Sequence, residues 1–270
     1  MAALLRLKNN RNMNKRVLFA GCSFSADCGF LPENQKKYHW SNLLQQQFGF
    51  DYNNIAIGGM SNPEIFYRTV NQLSISEYDI AIIQWSGINR FWVYNSKNNI
   101  DDFTMLNNGI VGGYVVDKKA SENFTRLYYE HFFNTIVALK HWLLSIIALQ
   151  SLLVSTKTNY LFVKGFDNFI PELMASKYLE YPAIPESMKS FFDFDNRPDD
   201  YMHLKLTEIT TLLDVVKTFK WVNFDSAPFT KFNTVDGKVT DVADDGMHPG
   251  IESNKKLAAD IAPLLFQYTK

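Results

Sequence analysis

Five apolar runs of strand length punctuate the chain: Val17–Ala20, Asn54–Ile57, Ile80–Trp85, Tyr160–Val163 and Trp221–Phe224. Between most of them the apolar positions recur every three or four residues, the spacing that gives a helix one buried face. Trp40–Phe48 carries Leu43, Leu44 and Phe48 in this way, and Pro63–Ser74 carries Ile65, Phe66, Val70 and Leu73. Further helices are predicted within 121–155, over Thr207–Thr218, and over Glu252–Tyr268, where Pro249-Gly250 supplies a start signal. Strands that alternate with helices imply a parallel sheet covered on both faces. The pattern predicts a flavodoxin-like three-layer α/β/α fold with a five-stranded parallel sheet in the order 2-1-3-4-5.

Some segments depart from this rhythm. The stretch "WLLSIIALQSLLV", residues 142–154, is apolar all round but short for a membrane span, so a buried helix is expected and no membrane span. Two stretches, about 90–119 and 165–204, fit no regular element and read as loop insertions. Insertions in such folds gather over the strand ends where ligands bind. Residues 1–12 read as a polar extension containing a four-residue apolar run, too short for the core of a signal peptide. The expectation is one domain over 13–270, located in the cytoplasm.

Composition narrows the function classes. Hydrophobic residues make up 46% and charged residues 20%, values of an ordinary globular chain. A net charge of −1 provides no electrostatic footprint for nucleic acid, so no nucleic-acid partner is expected. The two cysteines, Cys22 and Cys28, cannot build a four-thiolate zinc site, and no disulfide framework is suggested. No metal and no cofactor is predicted. The aromatic content of 15% fits core packing, or a surface on which sugar rings stack.

The candidate chemistry begins at "RVLFAGCSFSADCG", residues 16–29, where a strand runs into glycine and then serine. The loop lacks the Lys-Ser/Thr ending of a phosphate-binding loop and the glycine spacing of a dinucleotide fingerprint. It also lacks the second glycine of a Gly-x-Ser-x-Gly elbow. A nucleophile of another lineage remains, Ser23. Near the other end, in "DVADDGMHPG", Asp245 and His248 are separated by two residues, one of them glycine. One tight turn then brings carboxylate to imidazole, fixing the tautomer and stabilising the imidazolium once it accepts a proton. Asp244 is the alternative orienting carboxylate. The strand ends at 54–60 and 80–90 add Gly59, whose backbone N–H is unobstructed, and Asn89, whose amide can donate. In the order 2-1-3 these flank the first strand, so Gly59, Ser23 and Asn89 are expected to converge at one crevice with donors for a developing oxyanion.

On these residues the chain resembles the SGNH (GDSL-type) hydrolase superfamily, whose Ser, Gly, Asn and His lie in four ordered blocks. Ser23, Gly59, Asn89 and the Asp245/His248 pair match those blocks in order. Two positions depart from the pattern: Cys22 stands where an Asp usually precedes the serine, and Arg90 where an Asp commonly follows the asparagine. The first-block form "GCSFS" also resembles SGNH-like proteins of bacteria and their phages. The resemblance implies an esterase with Ser23 as nucleophile, His248 as base and Asp245 as its orienting partner. A short acyl group on a glycan or other small ester is the expected substrate. Arg90, Phe91, Trp92 and Tyr94 are the candidate substrate-binding residues, the aromatics as a stacking platform or as packing for the insertion. The same residues also serve an O-acyltransferase, and a glycan-binding module with an idle site stays open.

Overall fold

The computed structural model describes residues 15–26, 31–88, 90–94, 103–107, 110–112, 127–128, 131, 135–165, 199–222, 234–235, 238–239, 241, 243 and 248–269. A parallel sheet contains β1 (Arg16–Ala20), β2 (Asp51–Asn54), β3 (Ile80–Trp85), β7 (Asn159–Lys164) and β8 (Trp221–Val222), in the order β2-β1-β3-β7-β8. All four pairings are parallel. This is the 2-1-3-4-5 order expected from the sequence.

The strand sequences dictate the two cores. Every residue of β3 is buried, as a central strand covered on both faces requires. Alternate side chains go to opposite sides. Val17, Phe19, Ile80, Ile82, Leu161 and Val163 pack against α1 (Trp40–Phe48) and α5 (Ile251–Phe266), while Leu18, Ala20, Ala81, Ile83, Trp85 and Phe162 face the other way. There they meet α2 (Asn62–Ile75), α3 (Thr135–Ser155) and α4 (Asp199–Lys217). On α5, Leu257, Ala258, Ile261, Ala262 and Leu265 form the buried stripe. Burial contributes about 1.5–3 kcal/mol for each of the larger side chains.

Helix α3 contains the apolar 142–154 stretch. By length and composition Val137–Ser155 is apolar enough to cross a membrane. It lies against the sheet through Leu139, Trp142, Leu143, Ile146, Leu149 and Leu153, with Leu144 and Val154 outward. The helix is thus buried along one face, not enclosed on all sides.

Four boundaries differ from the sequence reading. Strand β2 is the polar Asp51–Asn54 rather than Asn54–Ile57. It is an edge strand paired with β1 alone among the described residues, so it needs little apolar surface, and the Ile55–Ile57 run continues beyond it toward the strand ends. The 90–119 insertion is not all loop: β4 (Phe91–Tyr94), β5 (Phe103–Asn107) and β6 (Ile110–Gly112) form an antiparallel sheet. The 165–204 insertion is shorter than the pattern suggests, because α4 begins at Asp199, after Pro198 and with two aspartates at its start. A further antiparallel pair, β9 (Thr234–Val235) and β10 (Lys238–Val239), has no counterpart in the sequence reading. The extension 1–12 lies outside the described residues.

Candidate active site

Beyond β1 the backbone closes a helical turn in which the N–H groups of Ser25 and Ala26 both reach the Cys22 carbonyl, at 2.9 and 3.1 Å. Ser23 sits at the crown of this turn and is 7% exposed. Among the described residues, neither its N–H nor its hydroxyl has a hydrogen-bond partner. First-turn N–H groups that lack an intrahelical acceptor are suited to an anionic oxygen.

The turn is fixed from below and from both sides. The Gln84 Oε1 atom accepts from the Cys22 N–H at 3.2 Å, the Cys22 thiol at 3.3 Å and the Ser25 hydroxyl at 3.0 Å. Its own Nε2 donates to the Trp85 carbonyl at 2.7 Å. Asn54 donates from Nδ2 to the Ser25 carbonyl at 2.7 Å, and the Trp40 indole donates to the Phe24 carbonyl at 2.9 Å. Gly165, just past β7, completes the floor. A Cβ there would lie 1.8 Å from Gln84 Nε2, so no side chain fits.

Gly59 lies in the turn after β2. Its φ of +83° is in the left-handed region that favours glycine, and the Met60 N–H reaches the Ile57 carbonyl at 3.4 Å across the turn. The approach to this turn stays laced to β1, through Ile55 N–H on the Phe19 carbonyl at 2.9 Å and Ile57 N–H on the Gly21 carbonyl at 3.4 Å. Three residues on, buried Asn62 forms a two-point bridge to the end of β3. Its Nδ2 donates to the Ser86 carbonyl at 2.9 Å, and its Oδ1 accepts the Ser86 N–H at 2.7 Å. The bridge ties the loop that carries Gly59 to the loop that leads to Asn89. Arg90 donates from Nη1 to the Ser86 hydroxyl at 3.0 Å, turning its guanidinium toward the same strand end.

His248 is reached from the opposite end of the chain. The Ala243 N–H bonds the His248 carbonyl at 2.8 Å and the Gly250 N–H bonds the Asp241 carbonyl at 3.1 Å, so Asp241 and Ala243 lie alongside His248 and Gly250. Asp241 also accepts the Ser253 N–H at 2.5 Å, capping the first turn of α5 with a carboxylate. Asn254 donates from Nδ2 to the carbonyls of Pro249 at 3.2 Å and Gly250 at 2.9 Å. The His248 ring meets the Phe24 ring edge to face, centroids 5.6 Å apart and planes at 89°. The histidine of the last block is therefore in van der Waals reach of the residue that follows Ser23.

Ser23, Gly59, Arg90 and His248 thus lie at the carboxyl ends of the strands or on loops tied to them. Asn89 and Asp245 lie outside the described residues, as does the alternative Asp244. Phe91, Trp92 and Tyr94 are on β4, with only their backbone described. Among the described residues no group of His, Cys, Asp and Glu is placed to hold a metal ion.

Sequence reasoning misses the supporting residues: Gln84, Asn62, Trp40, Asn54 and Asn254. Gln84 alone offers a signal, a polar residue inside the otherwise apolar run "IAIIQW".

No family model matches the sequence, and no curated protein matches it. Solved structures similar to the chain include that of TesA, with 14% identity over 94% of this chain and 99% of that one, at a TM-score of 0.47. The acetyl xylan esterase AlAXEase has 11% identity over 93% of this chain and 99% of its own, at 0.48. A GDSL-like lipase from Bacteroides thetaiotaomicron has 11% identity over 98% of this chain and 95% of its own, at 0.45. At 11–14% identity these are likenesses of fold.

Proposed function

We propose that the protein is a serine esterase that removes a short, acetyl-like acyl group from a carbohydrate or another small ester. Ser23 attacks the ester carbonyl and His248 takes its proton, with Asp245 holding the imidazole in the productive tautomer. The N–H groups of Ser23 and Gly59, with the Asn89 amide, receive the negative charge of the tetrahedral intermediate. The alcohol leaves with the proton held by His248, and water then releases the acyl group from Ser23 by the same steps in reverse. Each oxyanion donor in such a site contributes about 3–4 kcal/mol of transition-state stabilisation. Arg90 and the β4 aromatics Phe91, Trp92 and Tyr94 border the strand end and are the proposed contacts to the alcohol portion.

One observation carries this reading: His248, from the end of the chain, packs on Phe24 beside an otherwise unengaged Ser23 at a strand end. The test is turnover of 4-nitrophenyl acetate with and without a serine-directed phosphonate. The expected result is hydrolysis that the phosphonate abolishes, with its adduct on Ser23 by mass spectrometry. Undiminished hydrolysis by the Ser23→Ala variant overturns the assignment.

A further inference from the structure

We infer that Trp40 and Asn254 form a strut that sets the separation of Ser23 from His248, a positioning role that rests on the esterase reading above. Neither residue belongs to the four sequence blocks. Both are buried, Trp40 fully and Asn254 at 3% exposure.

The bonding forms a closed circuit. Starting beside Ser23, the Phe24 carbonyl accepts the Trp40 indole N–H at 2.9 Å. The backbone N–H of the same Trp40 donates to Asn254 Oδ1 at 3.1 Å. Asn254 Nδ2 spends its two hydrogens on the carbonyls of Pro249 and Gly250, the two residues after His248. The His248 ring then returns to the Phe24 ring at 5.6 Å. Each end of the strut therefore grips the residue next to a reacting one, and neither Trp40 nor Asn254 touches the reacting atoms themselves.

The chemistry of the two side chains fits a spacer rather than plain packing. An apolar side chain at 254 would fill the same space, but it would leave the Trp40 amide and two loop carbonyls without this partner. The asparagine amide supplies one acceptor and two donors, and all three are used. Trp40 is held rigid by its edge-to-face contact with Phe19 of β1, centroids 5.1 Å apart. The strut is thus anchored on the central sheet, and the loop bearing His248 inherits that rigidity. Displacements of about 1 Å at a reacting pair can cost on the order of a hundredfold in rate.

The experiment compares Trp40→Phe, Asn254→Ala and the double variant, with Ser23→Ala as reference, on 4-nitrophenyl acetate. Trp40→Phe keeps an aromatic ring beside Phe19 and removes the indole donor together with part of the buried ring system, and it remains informative where Asn254→Ala fails to fold. The expected result is a kcat lowered about tenfold to a hundredfold in each single variant, with KM within about twofold of wild type. The double variant should lose no more than the worse single one, because either cut opens the same circuit. The His248 ring proton resonances should also move in Trp40→Phe, as the Phe24 ring shifts beside them. A Trp40→Phe variant with wild-type kcat and unmoved His248 resonances overturns the strut, even while Ser23→Ala is inactive. Losses that multiply in the double variant overturn it too. Undiminished activity in Ser23→Ala instead removes the esterase reading, and the resonances then judge the strut by themselves.

Discussion

The side-chain oxygen of Gln84 takes both the backbone N–H and the thiol of Cys22, at 3.2 and 3.3 Å, directly beneath the turn that presents Ser23. A thiol at position 22 thus meets an amide oxygen from the neighbouring strand. Gln84→Leu would strand the buried Cys22 N–H and Ser25 hydroxyl. Each unsatisfied buried group costs about 1–3 kcal/mol, so a loss of roughly 2–6 kcal/mol is expected. Urea unfolding measures it. Cys22→Ala keeps the backbone N–H on Gln84, removes the weak thiol bond together with the packing of the buried sulfur, and should cost less than Gln84→Leu.

Gly165→Ala tests the floor of the same turn from the other side. The new methyl would overlap Gln84 Nε2 and also approach the Trp85 carbonyl oxygen, 2.6 Å away. A backbone oxygen cannot rotate aside, so Gln84 must move and β7 must shift. The expected cost is about 1–3 kcal/mol, with a lower melting temperature in a thermal scan.

Gly59→Ala separates position from presence in the proposed oxyanion hole. At φ +83° an alanine is strained by roughly 1 kcal/mol, which the fold can bear. Relief of that strain rotates the peptide whose N–H would face the oxyanion. The variant should fold with kcat lowered about 100-fold, and with KM little changed. Steady-state kinetics on 4-nitrophenyl acetate provide the check.

Glu64 gives a pH signature unconnected with the site. Its carboxyl is buried on α2, and burial raises its pKa above the ordinary 4.5 by more than the adjacent Arg68, 3.2 Å away, lowers it. A raised folded-state pKa means that the folded protein binds this proton more tightly than the unfolded chain does. Its stabilising contribution is therefore complete below the unfolded value and is lost as pH rises through the folded one. Glu64→Gln should accordingly melt higher than wild type at about pH 7, with the gap closing as the pH falls toward about 4. A gap that widens on acidification would mean that the Arg68 ion pair outweighs burial.

The legibility of the sequence follows burial. Strand β3 and helix α1 are readable to the residue, because a strand covered on both faces and a helix with one buried face leave unambiguous apolar patterns. Strand β2 lies three residues before its apolar run because an edge strand is specified by backbone pairing with β1, which a polar "DYNN" satisfies. The small sheets escape a reading by apolar runs, although the sequence between their paired strands carries a hairpin signal. Asn108-Gly109 separates β5 from β6, and Asp236-Gly237 separates β9 from β10. Within the site, the groups with chemical character stand out and their supports do not. Asn62 and Asn254 reach partners 24 and 214 positions away, and little in their immediate neighbourhood marks them, whereas Gln84 is marked only by the apolar run around it.

The bond between Trp40 and Asn254 joins positions 214 apart. During synthesis the turn bearing Ser23 emerges early, and for most of translation the helix that backs His248 does not yet exist. Trp40 meanwhile lacks both its acceptor and the α5 surface that covers its side of the sheet. A loop this long closes slowly, since contacts distant in sequence are the last that chain entropy permits. The candidate site is thus completed only when α5 docks, and a nascent chain whose first three strands have formed still lacks the arm that carries His248.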